Sequence, residues 1–266
     1  MIKIENVQVV GFEAAMRGMR NPLDSHSRSD SVHCLPDDEH TVTEECITCD
    51  DNCPLAKDDW CFRYDPDDTH FYIGPKDLEL AKKLASNGPV HAKYRRMMTV
   101  YLDITAPRYW WSEMDTYKVG TVANSYSTMH KIHSRDLTLD DFSCEDLPDA
   151  KDDIFTAIEV GGNTCLYSPK GLMQMTIDAI NHYRKKFIET KDKSWWRMMI
   201  QSLPSSYNQR RTVMLNYEVL TGIYKHRKDH KLSEWREFCK WIETLPYSEL
   251  ITGESKEDLE CQSTTP

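Results

Sequence analysis

Two groups of residues in this chain combine side-chain chemistry with spacing that does more than fold. The first is Cys46-Ile47-Thr48-Cys49-Asp50-Asp51-Asn52-Cys53, with Cys34 and Cys61 outside it and His33, His40 and His70 nearby. Two cysteines separated by two residues present both thiolates to one ion from a tight turn, and Cys53 or Cys61 would complete a zinc tetrahedron. Cys46, Cys49, Cys53 and Cys61 are therefore the candidate metal ligands. The competing reading is a surface insertion with reduced thiols, because no second clean pair at zinc-ribbon spacing follows. The second group is discontinuous: His91, then Lys118-Val119-Gly120-Thr121-Val122-Ala123-Asn124-Ser125-Tyr126-Ser127-Thr128-Met129-His130-Lys131, then Asn216 and Arg227. A glycine followed by small hydroxyl residues presents backbone N–H groups to an anion, and Lys118 adds charge. Taken alone, the same residues also describe a serine-rich loop and a solvated arginine.

Elements to carry these groups are legible around them. Ile2 to Val10 alternates apolar and polar residues up to Gly11 and predicts a half-buried strand, with a short helix over Glu13–Arg20. From Asn21 to about Asp68, four prolines interrupt a stretch crowded with Asp, Glu, Ser and Cys, which predicts a long inserted loop. Pro75 to Ala85 carries a helical apolar stripe ending at Asn87-Gly88. Met98, Val100, Leu102 and Ile104 alternate with polar partners as a strand; Pro107 stops it, and Trp110, Trp111, Met114 and Tyr117 follow at helical spacing. Asp136 to Ser168 reads as an acidic connection with short helical turns. Leu172 to Trp196 predicts one long helix, with Met175, Ile177, Ile180, Tyr183 and Phe187 inward and Arg184, Lys185 and Lys186 outward. After Pro204, helices are expected over Val213–His226 and Leu232–Thr244, and a disordered tail over 253–266.

The 266 residues are 39% hydrophobic and 29% charged, a globular composition. With 33 Lys+Arg against 43 Asp+Glu the formal charge is -10, which disfavours nonspecific binding to duplex nucleic acid or an anionic membrane. No apolar run approaches the roughly 18 residues of a membrane span, and the first residues lack a signal peptide's regions, so a cytoplasmic protein is expected. The nine cysteines then read as reduced thiols or metal ligands rather than a disulfide framework.

Leu80-Ala81-Lys82-Lys83-Leu84, Gly88-Pro89-Val90-His91, a strand, Ala106-Pro107 and the 118–130 segment follow one another in an order that resembles the flavin-dependent thymidylate synthase family, whose signature is RHRxxSxNxxSxRY. Leu203-Pro204, Asn216 thirteen positions after Leu203, and Arg227 eleven positions further continue the likeness. The resemblance implies an α/β (α+β) fold, a mixed sheet with packed helices that forms a homotetramer. It runs from about Met1 to Thr244, leaving out the Cys-rich insertion at about 21–70 and the acidic connection, and implies a single domain over 1–252.

What the resemblance implies for function is transfer of a one-carbon unit from methylenetetrahydrofolate to dUMP or a related pyrimidine nucleotide, with FAD as cofactor and NADPH as hydride source. Flavin binding is expected at His91, Lys118, Asn124 and Asn216, and nucleotide binding at Ser127, Thr128, Arg197 and Arg227. Arg227 also has the catalytic role, polarising the pyrimidine carbonyl. Several positions depart from the pattern. Thr116, Tyr117 and Lys118 stand for Arg-His-Arg, Thr121 for the first Ser, Met129 and Ile200 for arginines, and Arg96 for a Glu. Met129 and Ile200 offer a phosphate nothing, and Arg197, one helical turn before Ile200, is the expected substitute. Two other readings stay open: a noncatalytic nucleotide-binding protein on the same fold, and a zinc-stabilised interaction module built on the Cys-rich insertion.

Overall fold

The computed structural model describes residues 2–33, 71–149 and 156–253. The four candidate zinc ligands and the chain beyond Gly253 lie outside them. In chain order the elements are β1 (Lys3–Val10), α1 (Phe12–Arg20), β2 (Val32–His33), β3 (Phe71–Tyr72), α2 (Pro75–Ser86), β4 (Thr99–Pro107), α3 (Arg108–Met114), β5 (Val122–Ser125) and α4 (Thr128–Lys131). There follow β6 (Thr156–Val160), β7 (Asn163–Tyr167), α5 (Pro169–Thr190), α6 (Lys193–Gln201), β8 (Asn208–Asn216), α7 (Tyr217–Arg227), α8 (Ser233–Glu243) and α9 (Glu249–Thr252). Four strands form one sheet in the order β1-β4-β8-β5, and β2-β3 and β6-β7 form separate antiparallel pairs. The expected α/β architecture is present, with an antiparallel sheet and packed helices.

The chain divides into two compact units. The first comprises Met1–Glu5, Asp103–Thr116 and Ala123–Thr212; the second comprises Asn6–Leu102, Tyr117–Val122 and Val213–Pro266. In the first, Ile132, Leu137, Phe142, Met173, Ile177, Ile180, Met199, Leu203 and Tyr207 make the core around α5 and α6. Asn181 on α5 holds the preceding loop by accepting from Leu137 N at 2.8 Å and donating to Leu137 O at 2.9 Å. In the second unit, Phe12 meets Tyr217 and Tyr247 edge to face at 5.9 and 5.4 Å. The Tyr217 hydroxyl donates to Pro246 O at 2.5 Å, and burial pushes its pKa well above the ordinary tyrosine value. Nearby, the buried pair Arg20 and Asp77 is completed by the hydroxyls of Ser29 and Ser31, which donate to Asp77 Oδ2 at 2.5 and 2.6 Å. This arrangement satisfies a carboxylate with no solvent exposure, whose burial is costly without such partners.

Four expectations are corrected. Part of the expected long loop is ordered: residues 21–33 contain two short 3-10 turns, and β2 pairs with β3. The acidic connection contains the β6-β7 hairpin, closed by Gly161-Gly162 with φ of 58° and 81°, the left-handed pair that a tight two-residue turn requires. The single helix over 172–196 is two helices. Lys191 adopts φ 58° and Asp192 caps α6 by accepting from Ser194 N at 2.9 Å, so the second helix begins anew. Its inward face also differs: Met173 is buried and Met175 exposed, while Arg184 donates to His133 O at 3.0 Å and to Asp136 at 2.7 Å rather than projecting into solvent. Finally, 213–216 is strand rather than helix. Val213 and Leu215 are buried on one face of β8, and helix α7 starts only after Asn216.

Candidate functional site

Within the first unit, a cavity of about 400 Å³ is lined by Arg108, Ser112 and Asp115, by Ser125 to Met129, by Ile200 and Leu203, and by Gln209 and Arg211. The end of α6 with the residues just after it contributes Ile200 and Leu203, and three further pieces supply the rest. Strand β4 ends at Pro107, whose extended ψ of 152° turns the chain into α3 and presents Arg108, Ser112 and Asp115 on successive turns. The segment from Ser125 runs through Ser127, which caps α4 by accepting from His130 N at 3.4 Å. Strand β8 contributes Gln209 and Arg211, two residues apart and so on one face. Gln209 joins these pieces, donating from Nε2 to Tyr126 O at 3.2 Å and to Thr128 Oγ1 at 3.4 Å.

Arg211 is the most constrained cation there. Its guanidinium lies 4.2 Å from the centroid of the Trp111 ring, Nη1 donates to Asp115 Oδ1 at 2.7 Å, and Nε donates to Gln209 Oε1 at 3.1 Å. Trp111 is 1% exposed and is itself fixed by Nε1 donating to Gln209 O at 2.8 Å. With two arginines, one aspartate and several hydroxyls, the cavity carries a net positive charge and many donors, the pattern that binds an anionic, oxygen-rich molecule.

In the second unit, Arg227 sits near the end of α7. Its guanidinium is 4.7 Å from the Trp235 ring and 5.8 Å from the Tyr117 ring, and Nε donates to Tyr117 Oη at 3.0 Å. It is therefore held between two aromatic rings rather than free in solvent. Beside Tyr117, Lys118 is exposed, and Gly120 adopts φ +79°. A Cβ at Gly120 would lie 2.7 Å from Asn216 Nδ2, so only glycine permits this approach. Asn216 caps α7, its Oδ1 accepting from Val219 N at 3.0 Å. The neighbouring Thr121 hydroxyl is buried with no partner among the described residues.

The sequence-predicted residues fall as follows. Ser127 and Thr128 line the cavity, and so do Met129 and Ile200, the two positions where the resemblance expects arginines. Arg197 is exposed on α6 and is not among the lining residues, while Asn124 is exposed on β5. In the second unit Lys118, Asn216 and Arg227 lie on the segments just described, and His91 is exposed in the turn after Gly88, its N–H donating to Gly88 O at 3.0 Å. Among the described residues no cluster of metal-ligating side chains occurs. No described helix is long and apolar enough to cross a membrane. Arg108, Gln209 and Arg211 were missed. For Gln209 and Arg211 the signal was their place four and two residues before Val213 in a strand period hidden by reading 213–226 as helix; nothing in the sequence marked Arg108.

No protein-family model and no curated protein matches the chain. Among solved structures, it is similar to thymidylate synthase X (ThyX) from Helicobacter pylori with FAD and dUMP: TM-score 0.56 and 15% identity over 95% of this chain and 98% of that one. A second Helicobacter pylori ThyX structure, complexed with FAD and dUMP, gives 0.54 and 16% over 94% and 99%. The UMP/dUMP methylase PolB from Streptomyces cacaoi, bound with 5-Br dUMP, gives 0.52 and 12% over 96% and 97%. At these identities the likeness is one of fold: the chain has a ThyX-like fold across nearly its whole length.

Proposed function

We propose that this chain binds FAD and a pyrimidine nucleotide, and transfers a one-carbon unit from methylenetetrahydrofolate to dUMP or a related nucleotide, with NADPH as hydride source and a homotetramer as the working form. The observation that carries this reading is the position of Ser125, Ser127 and Thr128 in a positively charged cavity, on a fold similar to that of proteins solved with dUMP or 5-Br dUMP.

The residues of the second unit suit a flavin. The unpartnered Thr121 hydroxyl, the Gly120 backbone that a Cβ would block, the Asn216 amide and the exposed Lys118 ammonium supply neutral and charged donors on adjacent segments. Lys118, Asn216 and His91 would hold the cofactor, which when bound supplies the hydride chemistry. The chain's own residues bind and polarise. Ser127 and Thr128 donate hydroxyl protons to the nucleotide. Arg227, fixed by Tyr117 and Trp235, presents positive charge to the pyrimidine carbonyl without having to be reoriented.

The test is an absorbance spectrum of freshly purified protein with and without added FAD. Bands at roughly 375 and 450 nm that report bound flavin support the reading. A colourless protein that ignores added FAD, with no turnover of dUMP, removes it. A second reading, nucleotide binding without turnover, is favoured by the apolar Met129 and Ile200 in the cavity wall, and it predicts dUMP binding by a protein that takes up no flavin.

A further inference from the structure

On the nucleotide-binding reading just given, the acidic end of the ligand needs a cation, and Met129 and Ile200 supply none in a cavity wall they share with two arginines. We infer that Arg211 is the residue that binds the nucleotide phosphate, with Trp111 and Asp115 as the positioning residues that hold it in place. Three observations converge on it. The Arg211 side chain is only 15% exposed, so its charge is poorly screened by water and acts strongly on an anion brought beside it. Its plane is set by stacking on Trp111, which is anchored to the β8 backbone through Gln209 O, so little side-chain freedom remains to be lost on binding. Its Nε and Nη1 protons are engaged by Gln209 and Asp115, while among the described residues Nη2 has no hydrogen-bond partner and is left for a ligand.

Asp115 orients this guanidinium and half-neutralises the cavity. Its side chain is 52% exposed, which allows it to yield to a dianion that competes for the same guanidinium. Arg108 brings a second cation from the start of α3, and the hydroxyls of Ser127 and Thr128 bring neutral donors to the same cavity. Arg197, exposed and outside the lining, is displaced by this assignment as the replacement cation.

The experiment is calorimetric titration of the wild type, Arg211→Lys and Arg211→Ala with dUMP and with deoxyuridine, which lacks the phosphate. Affinity for dUMP should fall in that order, by roughly tenfold or more for alanine, as expected for loss of a charge-assisted contact. Lysine keeps the charge but not the planar fork or the stack, so it should fall between. Deoxyuridine should be bound equally by all three proteins, whether weakly or undetectably. Unchanged dUMP affinity in Arg211→Ala overturns the assignment, and so does a parallel loss for deoxyuridine, which would mean a packing role. If alanine fails to fold, the lysine variant decides by the same two ligands. A wild-type protein that binds neither dUMP, UMP nor deoxyuridine removes the nucleotide reading itself, and the assignment with it.

Discussion

The guanidinium of Arg227 lies 4.7 Å from the ring of Trp235, on the same side chain whose Nε reaches Tyr117 Oη at 3.0 Å. Trp235 is fully buried, so it anchors the arginine from beneath. Trp235→Ala should then cost about 3–5 kcal/mol of stability by opening a cavity, whereas Tyr117→Phe, which removes only the hydroxyl, should cost about 1 kcal/mol. Denaturant unfolding of both variants measures this. If the proposed reaction holds, Arg227→Ala should abolish turnover and Cys49→Ser should leave it largely intact; equal losses would count against Arg227.

Asn216 has two tasks that substitution can separate. Its Oδ1 caps α7, and its Nδ2 faces Gly120. Asn216→Asp should keep the cap and nearly wild-type stability but weaken flavin binding, because an amide donor becomes a carboxylate. Asn216→Ala should lose about 1 kcal/mol from the missing cap as well. Thermal unfolding beside FAD titration of the two variants gives the answer; equal FAD affinity in wild type and Asn216→Asp would confine the residue to capping.

Gly120→Ala should destabilise by about 1–3 kcal/mol. The added Cβ meets both an unfavourable φ of +79° and the Asn216 amide at 2.7 Å. Gly222, where a Cβ meets nothing and the backbone is helical, is the control: Gly222→Ala should stabilise by about 0.5–1 kcal/mol. Melting temperatures that shift in the same direction for both would contradict this.

Asp141 closes a capping box with Thr138 and pairs with Arg135. Burial disfavours its charge, yet the Arg135 hydrogen bond and the Thr138 N–H outweigh that and hold its pKa below the ordinary carboxylate value. A lowered folded pKa means the carboxylate's contribution is present above the ordinary value and lost as pH falls through the folded one. Wild type should therefore lose stability on acidification below about pH 4, and Asp141→Asn should lose less over that range. Urea midpoints measured from pH 7 to pH 3 test the difference.

Cys239 is 2% exposed, and burial pushes its thiol up to about 12. It should stay protonated and resist iodoacetamide in the folded protein while reacting fully in urea; peptide mapping reads this site by site. With a raised folded pKa, its contribution to stability is present at neutral pH and is lost as pH rises from the ordinary thiol value toward 12.

Much of the fold was determined by local pattern. The alternation of Met98, Val100, Leu102 and Ile104 is a buried sheet face because a strand sends every second side chain inward, and all four are fully or almost fully buried. Helices α2 and α8 followed from apolar stripes of the same local kind, and the order of Gly-His, Ala-Pro, Leu-Pro, Asn and Arg pointed to the fold that the structural likeness supports. Tertiary structure decided what local pattern leaves degenerate. Residues 213–216 suit helix or strand equally, and pairing within the four-stranded sheet selects strand. The charge of the cavity was likewise beyond sequence reading. Arg197 stands alone and Arg211 follows Arg210 in the sequence, with nothing there to mark either; in the structure β8 and its stack on Trp111 place Arg211 in the cavity wall, whereas Arg197 is exposed on α6. A cation's role depends on which surfaces close around it, and that is fixed by contacts between segments about a hundred positions apart, such as the bond from Trp111 to Gln209.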